Sequence, residues 1–436
     1  MNNAKHLRNV LNYNIKKLAA NHLEYLFDPD KDFTRTGKLS FESIVRFIIG
    51  IETGALKDEM FKYFGYSTNT ASASAMVQAR SKIKYTAFEW LFNAFNDSSF
   101  NAKLYKGYRL IAVDGSTIPI SYDKFDLVTY RANHGIDGKG FNAFHLTGAY
   151  DLLEHTFDDV IIQGEGKQNE NGAFNELVDR YKNQYKSIFI ADRGFESINS
   201  FVHVVKSNNK YLIRVKDIHS KTSIARSFDL PNEEFDIDVK RILTRQQTNE
   251  IKSHPEIYKF MPTNQKFDFF DEKHKEYEFE CRVVRFKISN DIYETIFTNL
   301  DRDNFPPKVI KELYNKRWGI ETSFRELKYA IGLNAFHAKK RNSIIQEIYA
   351  RLILYNFSER IIRKIKIKHL NTKYSYQINF TRAFHIVREF LNKKGRMNLP
   401  DVESLIAKEI LPIRPGRSDP RKVKPKSAVC FIYRFD

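Results

Sequence analysis

The stretch YNKRWGIETSFRELK, residues 314–328, combines a carboxylate, cations and a phenol at helical spacing. On one helix of about 100° per residue, four polar residues lie within about 60° of one another: Tyr314, Arg317, Glu321 and Lys328. An apolar stripe beside them would pack the helix onto a core and turn the polar face into a cleft. There Glu321 would hold a metal ion and the cations would bind phosphate oxygens. The alternative is a solvated face on which Arg317 and Glu321 form an i,i+4 ion pair.

The overall charge of the chain indicates a polyanionic partner. The chain has 436 residues, enough for two or three domains, and carries a formal net charge of +18. Nucleic acid is the first candidate for such a partner. Two cysteines are too few for a disulfide framework or a cysteine-based zinc site. With no apolar run of membrane-spanning length and no signal-like N-terminus, we expect a soluble intracellular protein.

The first part of the chain, residues 1–105, has the apolar spacing of helices, and we interpret it as a helical N-terminal DNA-binding domain. Ser40 is expected to cap the helix FESIVRFIIGI. Further along, small residues precede a basic segment typical of a recognition helix, with Gln78, Arg80, Lys82 and Lys84. The alternative is an ordinary helical bundle whose basic face is solvated.

Two short apolar runs each end in an aspartate and predict buried strands. YRLIAVDGS (108–116) leads to Asp114, and SIFIAD (187–192) leads to Asp192, which Arg193 follows. Ends of neighbouring strands lie close together, so both carboxylates and Glu321 are expected to share a cleft. The alternative for each aspartate, taken alone, is a role in a turn or as a helix N-cap.

Three carboxylates in one cleft would repel one another unless cations neutralise them. Hard oxygen ligands suit Mg²⁺ or Mn²⁺, and two such ions about 4 Å apart support in-line phosphoryl transfer. We therefore expect two ions, held by Asp114, Asp192 and Glu321. Beside them, Arg193 and the cations of the 314–328 stretch would neutralise charge on the phosphate.

The remaining pattern divides the chain into further segments. Strands are predicted at FNAFHLTGAYD (141–151) and HTFDDVIIQ (155–163), with a hairpin turn between them. The predicted segments are a catalytic core in two parts, a β-rich insertion between them, and a C-terminal helical region with a basic tail: 106–217 and 293–370, 218–292, and 371–436.

Several of these motifs together resemble one family. DGST (114–117), ADRGFES (191–197), YLIRVK (211–216) and the Y-x2-R-x3-E-x6-K spacing of residues 314–328 look like the successive motifs of insertion-sequence family four transposases. The resemblance implies an α/β fold, with a ribonuclease-H-like mixed sheet flanked by helices and interrupted by a β-rich insertion.

The resemblance also implies roles for residues. Asp114, Asp192 and Glu321 would be the metal-binding DDE triad, Arg317 and Lys328 would bind DNA phosphates, and Tyr314 would support them. The implied activity is cut-and-paste transposition: hydrolysis at the element ends, then attack of the freed 3′-hydroxyl on target DNA. The implied partners are double-stranded DNA, as terminal inverted repeats and target, and a second copy in a homodimer assembled on DNA.

Two rival interpretations remain at this stage. One is a metal-dependent nuclease on the same core without strand transfer, and the other is an inactive DNA-binding protein derived from a transposase. The expected location is the bacterial cytoplasm, in association with the nucleoid.

Overall fold

The structure is a computed structural model that describes residues 3–35, 37–98, 102–132, 140–289, 292–367, 374–393 and 399–414. Nearly all of the predicted basic tail, residues 413–427, lies outside this described part. No helix within these ranges is long and apolar enough to cross a membrane.

The described chain forms one large mixed sheet with helices on its faces and a helical region at its N-terminus. The helices α1–α13 span Asn3–Ala20, Phe41–Gly50, Leu56–Phe64, Ala73–Ser81, Thr86–Asp97, Glu170–Asp179, Ile198–Lys206, Asn249–Ser253, Pro307–Lys316, Trp318–Tyr329, Arg341–Ile362, Phe380–Asn392 and Val402–Lys408. The strands β1–β12 span Arg109–Ile120, Tyr130–Arg131, Phe141–Asp151, Thr156–Gly164, Ser187–Ala191, Lys210–Val215, Phe235–Thr244, Tyr258–Phe260, Glu276–Ser289, Ile292–Thr298, Tyr376–Ile378 and Ile410–Pro412.

The main sheet contains ten strands in the order β2-β3-β1-β5-β6-β10-β9-β7-β8, with β4 paired to β3. The pairs β1–β5 and β5–β6 are parallel, whereas β1–β3 and β6–β10 are antiparallel. Strands β7, β8 and β9 come from the predicted β-rich insertion, and they extend this same sheet. The insertion therefore adds strands to the side of the sheet that lies beyond β10.

The two faces of the sheet are covered by different helices because alternate side chains of a strand point to opposite faces. Leu110 and Ala112 of β1 belong to the core cluster that includes α11 and the N-terminal helices. Ile111 and Val113 belong to the cluster that includes α6 and α7. Residues after Ala112 at even positions of β1 therefore face the α11 side.

The N-terminal helices share their hydrophobic core with the long helix α11. Leu11 and Ile15 of α1, Ile48 of α2 and Phe92 of α5 lie in one buried cluster with Ile348 of α11. Burial of these side chains against α11 supplies the main stabilisation of the helical region. The predicted cap of α2 is confirmed, since the Ser40 hydroxyl accepts a hydrogen bond of 3.2 Å from the Ser43 amide.

The interpretation of Arg80 as a DNA-reading residue is wrong. Its side chain is buried and pairs with Glu347 of α11 at 2.7 Å. A second hydrogen bond, of 2.8 Å, reaches the Gln346 side chain. Lys82 of the same segment pairs with Asp32 at 3.1 Å. A buried guanidinium must be paired to offset its lost hydration, so Arg80 joins α4 to α11.

Candidate active site

Asp114 lies inside strand β1, not at its end as the sequence predicted. The strand continues to Ile120 because β3 pairs with it over its whole second half, including Asp114 opposite Gly148. Its parallel neighbour β5 ends earlier, at Ala191. Asp114 is therefore the first residue of β1 beyond the parallel pairing with β5. Its Oδ1 accepts a 2.9 Å hydrogen bond from the Gly115 amide.

Asp192 follows β5 and lies level with Asp114. The parallel register pairs Val113 with Ala191, so the next residue on each chain is an aspartate. Both aspartates have the strand parity that faces the α11 side of the sheet. Asp192 Oδ1 accepts hydrogen bonds from the Arg193 amide at 2.6 Å and from the Tyr314 hydroxyl at 3.4 Å.

The 314–328 stretch forms two helices instead of the predicted single one. Helix α9 ends at Lys316, α10 begins at Trp318, and Arg317 flanks both. At this junction the Arg317 amide bonds to the Tyr314 carbonyl three residues back, a tighter turn than that of an α-helix. Gly319 lies so close to the β3–β4 hairpin that an added Cβ would be 3.0 Å from Leu152 Cδ2.

The junction separates the roles of the motif's side chains. Tyr314, at the end of α9, is buried and reaches Asp192, whereas Glu321 lies in the first turn of α10. The buried Arg317 guanidinium pairs with Glu321 at 2.8 Å. The Arg317–Glu321 ion pair, which the sequence suggested as the alternative to a site, is thus present. It lies on a face that adjoins the aspartates.

The pKa of Asp114 responds to the other two acids of the candidate triad. The pKa of Asp114 is raised to about 6, chiefly by burial and also by the negative charges of Glu321 and Asp192, against the Gly115 amide and the positive charge of Arg317. Because charge interactions decay with distance, the three carboxylates share one electrostatic environment. The structure thus brings the DDE candidates to the same region.

Lys328 joins the same region from the far end of α10. Its ammonium donates a 2.9 Å hydrogen bond to the Thr117 carbonyl of β1. Burial lowers the pKa of Lys328, and the charge of Asp114 opposes this shift. Arg193, the remaining phosphate-binding candidate, has an exposed side chain next to Asp192.

The chemistry of the donors fits a divalent metal ion such as Mg²⁺ or Mn²⁺, because three carboxylates supply hard oxygen ligands. Within the described ranges, however, no three Asp, Glu, His or Cys side chains form a group that could hold a metal ion as they stand. Instead, Asp192 pairs with Arg214 and Glu321 pairs with Arg317. Metal sharing by the triad therefore stays a prediction.

Two residues of this region were given no role by the sequence reasoning. Arg214 of β6 pairs with Asp192 at 2.9 Å and with Glu294 of β10 at 2.8 Å. An arginine inside the otherwise apolar run YLIRV was the available signal, since such a charge needs a buried partner.

Comparison with known proteins gives a consistent family. The family model described as "Transposase DDE domain" matches residues 105–357. A putative transposase for insertion sequence element IS4SA of Synechocystis sp. (strain ATCC 27184 / PCC 6803 / Kazusa) is 25% identical over 233 residues, 52% of this chain and 54% of that protein. Transposase InsG for insertion sequence element IS4 of Escherichia coli (strain K12) is 20% identical over 370 residues, 81% of this chain and 76% of that protein.

The alignment with the first of these relatives spans about half of its length, 54%. Among solved structures, the piggyBac transposase synaptic complex with hairpin DNA aligns with a TM-score of 0.44 at 9% identity, covering 96% of this chain and 87% of that chain. That likeness is too low to support an inference.

Proposed function

The chain belongs to the DDE transposase family, and we propose on this basis that it is the transposase of an insertion sequence. The reaction is cut-and-paste transposition: hydrolysis of the phosphodiester at each element end, followed by attack of the freed 3′-hydroxyl on target DNA. Both steps are phosphoryl transfers, so one set of side chains serves them.

The observation that carries this proposal is the register of two parallel strands. Val113 pairs with Ala191, so Asp114 and Asp192 follow side by side and face the side of the sheet on which Glu321 lies. The proposal is further supported by the pKa of Asp114, which the charges of Asp192 and Glu321 help to raise. The alternative, an ion pair between Arg317 and Glu321 without a site, would not explain why the two aspartates lie side by side.

The side chains of the site divide the work. Asp114, Asp192 and Glu321 are the residues that would hold one or two divalent ions, and such ions would activate a nucleophilic oxygen and stabilise the leaving one. Arg317 and Lys328 orient the DNA by its phosphates, and the exposed Arg193 adds a further phosphate contact. Tyr314 keeps Asp192 in place through its hydroxyl.

The same proposal extends to the fold of the core and to its partners. The central strands β1, β5 and β6 with β3 and β4 form a ribonuclease-H-like core, and β7–β9 are the insertion. The DNA partners are the terminal inverted repeats and the target, bound by a homodimer that assembles on DNA. The place of action is the bacterial cytoplasm, at the nucleoid.

The test is an end-cleavage and joining assay. A labelled duplex that carries the inverted repeat flanking the gene, joined to outside DNA, is incubated with the full chain and Mg²⁺ or Mn²⁺. We expect a cut at the repeat boundary and, with a target plasmid, a joined product. Cutting without joining would make the protein a nuclease, and binding without cutting would make it an inactive DNA-binding derivative.

A further inference from the structure

Asp192 is surrounded by donors on one of its oxygens. Its Oδ1 accepts from the Arg193 amide at 2.6 Å, from Arg214 Nη2 at 2.9 Å and from the Tyr314 hydroxyl at 3.4 Å. The guanidinium of Arg214 supplies the only full positive charge among these three donors. It is therefore the counter-charge of Asp192 in this arrangement.

A second carboxylate holds Arg214 in position. Arg214 Nη1 pairs with Glu294 Oε1 at 2.8 Å, and the Glu294 side chain is 14% exposed while that of Asp192 is 32% exposed. The guanidinium also lies over the Tyr314 ring, 5.9 Å from its centroid. The better buried Glu294 is the anchor of the arginine, and the more exposed Asp192 is the partner that solutes can reach.

The same arrangement recurs at the glutamate of the triad. The buried Arg317 pairs with Glu321, whose side chain is 38% exposed, and lies 5.6 Å from the Tyr314 ring centroid. Two acids of the predicted metal site thus each have a buried or half-buried guanidinium as partner. Both guanidinium groups lie against one phenol ring, so they flank the same cleft.

Guanidinium and divalent metal ions are alternative counter-charges for a carboxylate oxygen. DNA phosphate is in turn an alternative partner for the guanidinium, which binds phosphate in the same forked geometry. An arginine that turns to a phosphate therefore releases carboxylate oxygen for a metal ion. Metal and phosphate would then favour each other's binding by the same factor.

We propose that Arg214, anchored by Glu294, is an exchangeable counter-ion of Asp192 that makes DNA phosphate and a divalent metal ion bind this site cooperatively. Glu294 is a positioning residue: it keeps the guanidinium in the cleft when Asp192 is released from it. The inference rests on the proposed function, since it takes Asp192 to be a metal ligand and DNA to be the phosphate donor.

The first test measures Mn²⁺ binding to the full chain without DNA, from the electron paramagnetic resonance signal of free Mn²⁺. Arg214→Gln removes the competing cation, so the Mn²⁺ dissociation constant should fall at least about threefold. Arg214→Lys, which keeps the charge, should restore a value near that of the wild type. Glu294→Gln leaves the guanidinium with Asp192 alone, so Mn²⁺ should bind more weakly than to the wild type.

Two controls separate these effects from general changes. Glu280→Gln removes one negative charge from the exposed face of β9, next to β10, and should leave Mn²⁺ binding unchanged. Asp192→Asn should abolish the Mn²⁺ site that the other variants modulate. Thermal unfolding by circular dichroism shows whether Arg214→Gln folds. If it does not, the Glu294→Gln and Arg214→Lys results decide alone.

The second test measures the coupling itself. The Mn²⁺ dissociation constant is determined with and without a duplex of the terminal repeat whose 3′ end is already cut, so that no bond is broken. DNA should tighten Mn²⁺ binding to the wild type, and should do so by a smaller factor in Arg214→Gln. Two results would overturn the inference. In one, DNA tightens Mn²⁺ binding by the same factor in the wild type and in Arg214→Gln. In the other, Arg214→Gln without DNA binds Mn²⁺ more weakly than the wild type does.

Failure of the inference is distinguishable from failure of the proposed function. A wild type that cuts and joins element ends, yet shows equal coupling in Arg214→Gln, retains the function and loses the counter-ion exchange. A wild type that neither cuts nor joins, with Mn²⁺ binding that ignores Asp192→Asn, loses both.

Discussion

The ammonium of Lys328 donates a 2.9 Å hydrogen bond to the backbone carbonyl of Thr117, three residues beyond Asp114 on strand β1. This bond ties the end of helix α10 to the strand that carries the first aspartate. Because Glu321 lies about two turns earlier on the same helix, the bond helps to set its position over the sheet. An ammonium has three donors, so Lys328 keeps donors for a phosphate while it holds the helix.

Glu321→Gln should separate catalysis from binding. The change keeps the size of the side chain and removes its charge, so terminal DNA should bind as well as before or more tightly. Cleavage should fall by about two orders of magnitude or more, because transition-state stabilisation of about 3 kcal/mol or more is lost with a metal ligand. Single-turnover cleavage of a labelled end with Mg²⁺, beside a gel shift on the same DNA, measures both.

The matched control for that variant is Glu312→Gln, which removes the same charge from an exposed position on α9. It should cut at nearly the wild-type rate. If Glu321→Gln also cuts nearly normally, then Glu321 serves only as the ion-pair partner of the buried Arg317. Glu321 would then have to be removed from the predicted triad.

DNA binding should fall steeply with salt, and Lys328→Ala should reduce the slope of log K against log [salt] by about 1, because one phosphate contact is lost. The same variant should also slow cleavage, since α10 loses its bond to β1. Arg325→Ala, an exposed position on the same helix, should leave cleavage nearly intact. Gel-shift titrations at several salt concentrations measure the slope, and a flat wild-type response would contradict DNA as the partner of the basic surface.

Asp114→Asn should change the pH dependence of stability. The pKa of Asp114 is raised from its usual value to about 6, chiefly by burial. Its protonated form therefore stabilises the fold fully below the unfolded-state pKa, and this contribution is lost as the pH rises through 6. The variant should match the wild type near pH 4 and be more stable by about 2 kcal/mol near pH 8.

Urea unfolding between these pH values, in buffer with EDTA, checks this expectation. Asp303→Asn, an exposed loop position before α9, is the control and should show no such trend. A variant that is less stable than the wild type at pH 8 would mean that the Asp114 carboxylate is stabilised, not strained, by its surroundings.

Arg80→Met should act on stability and not on DNA specificity. It leaves Glu347 buried beside α4 without its 2.7 Å partner, at a cost of about 3 kcal/mol. Gln78→Ala, exposed on the same helix, should change the free energy of unfolding by less than about 0.5 kcal/mol. Urea unfolding compares the two. A stable Arg80→Met protein with altered sequence preference would restore the recognition-helix interpretation.

Local pattern in the sequence was sufficient for most individual elements. Strand β3 was predicted at 141–151 and is found at Phe141–Asp151, and the hairpin turn that follows it is confirmed. Apolar alternation and turn residues act over a few neighbours, so they can be interpreted without a structure. The three candidate acids were selected in the same way, because each follows an apolar run or recurs at helical spacing, and their role stays a prediction.

Contacts between distant parts of the chain decided the rest. Strand β1 continues past Asp114 because β3 pairs with it, and Arg80 is buried against α11. Arg214 and Glu294 meet across two strands that are 80 residues apart. Local periodicity carries no information about such partners.

The sequence by itself therefore determined which residue types are available for phosphoryl transfer and which short elements carry them. Only the tertiary structure decided that Asp114 and Asp192 are level on one face of the sheet, through the pairing of Val113 with Ala191. It also decided that Arg214 pairs with Asp192 and that Arg317 pairs with Glu321, because a carboxylate's counter-charge comes from whichever strand or helix packs beside it.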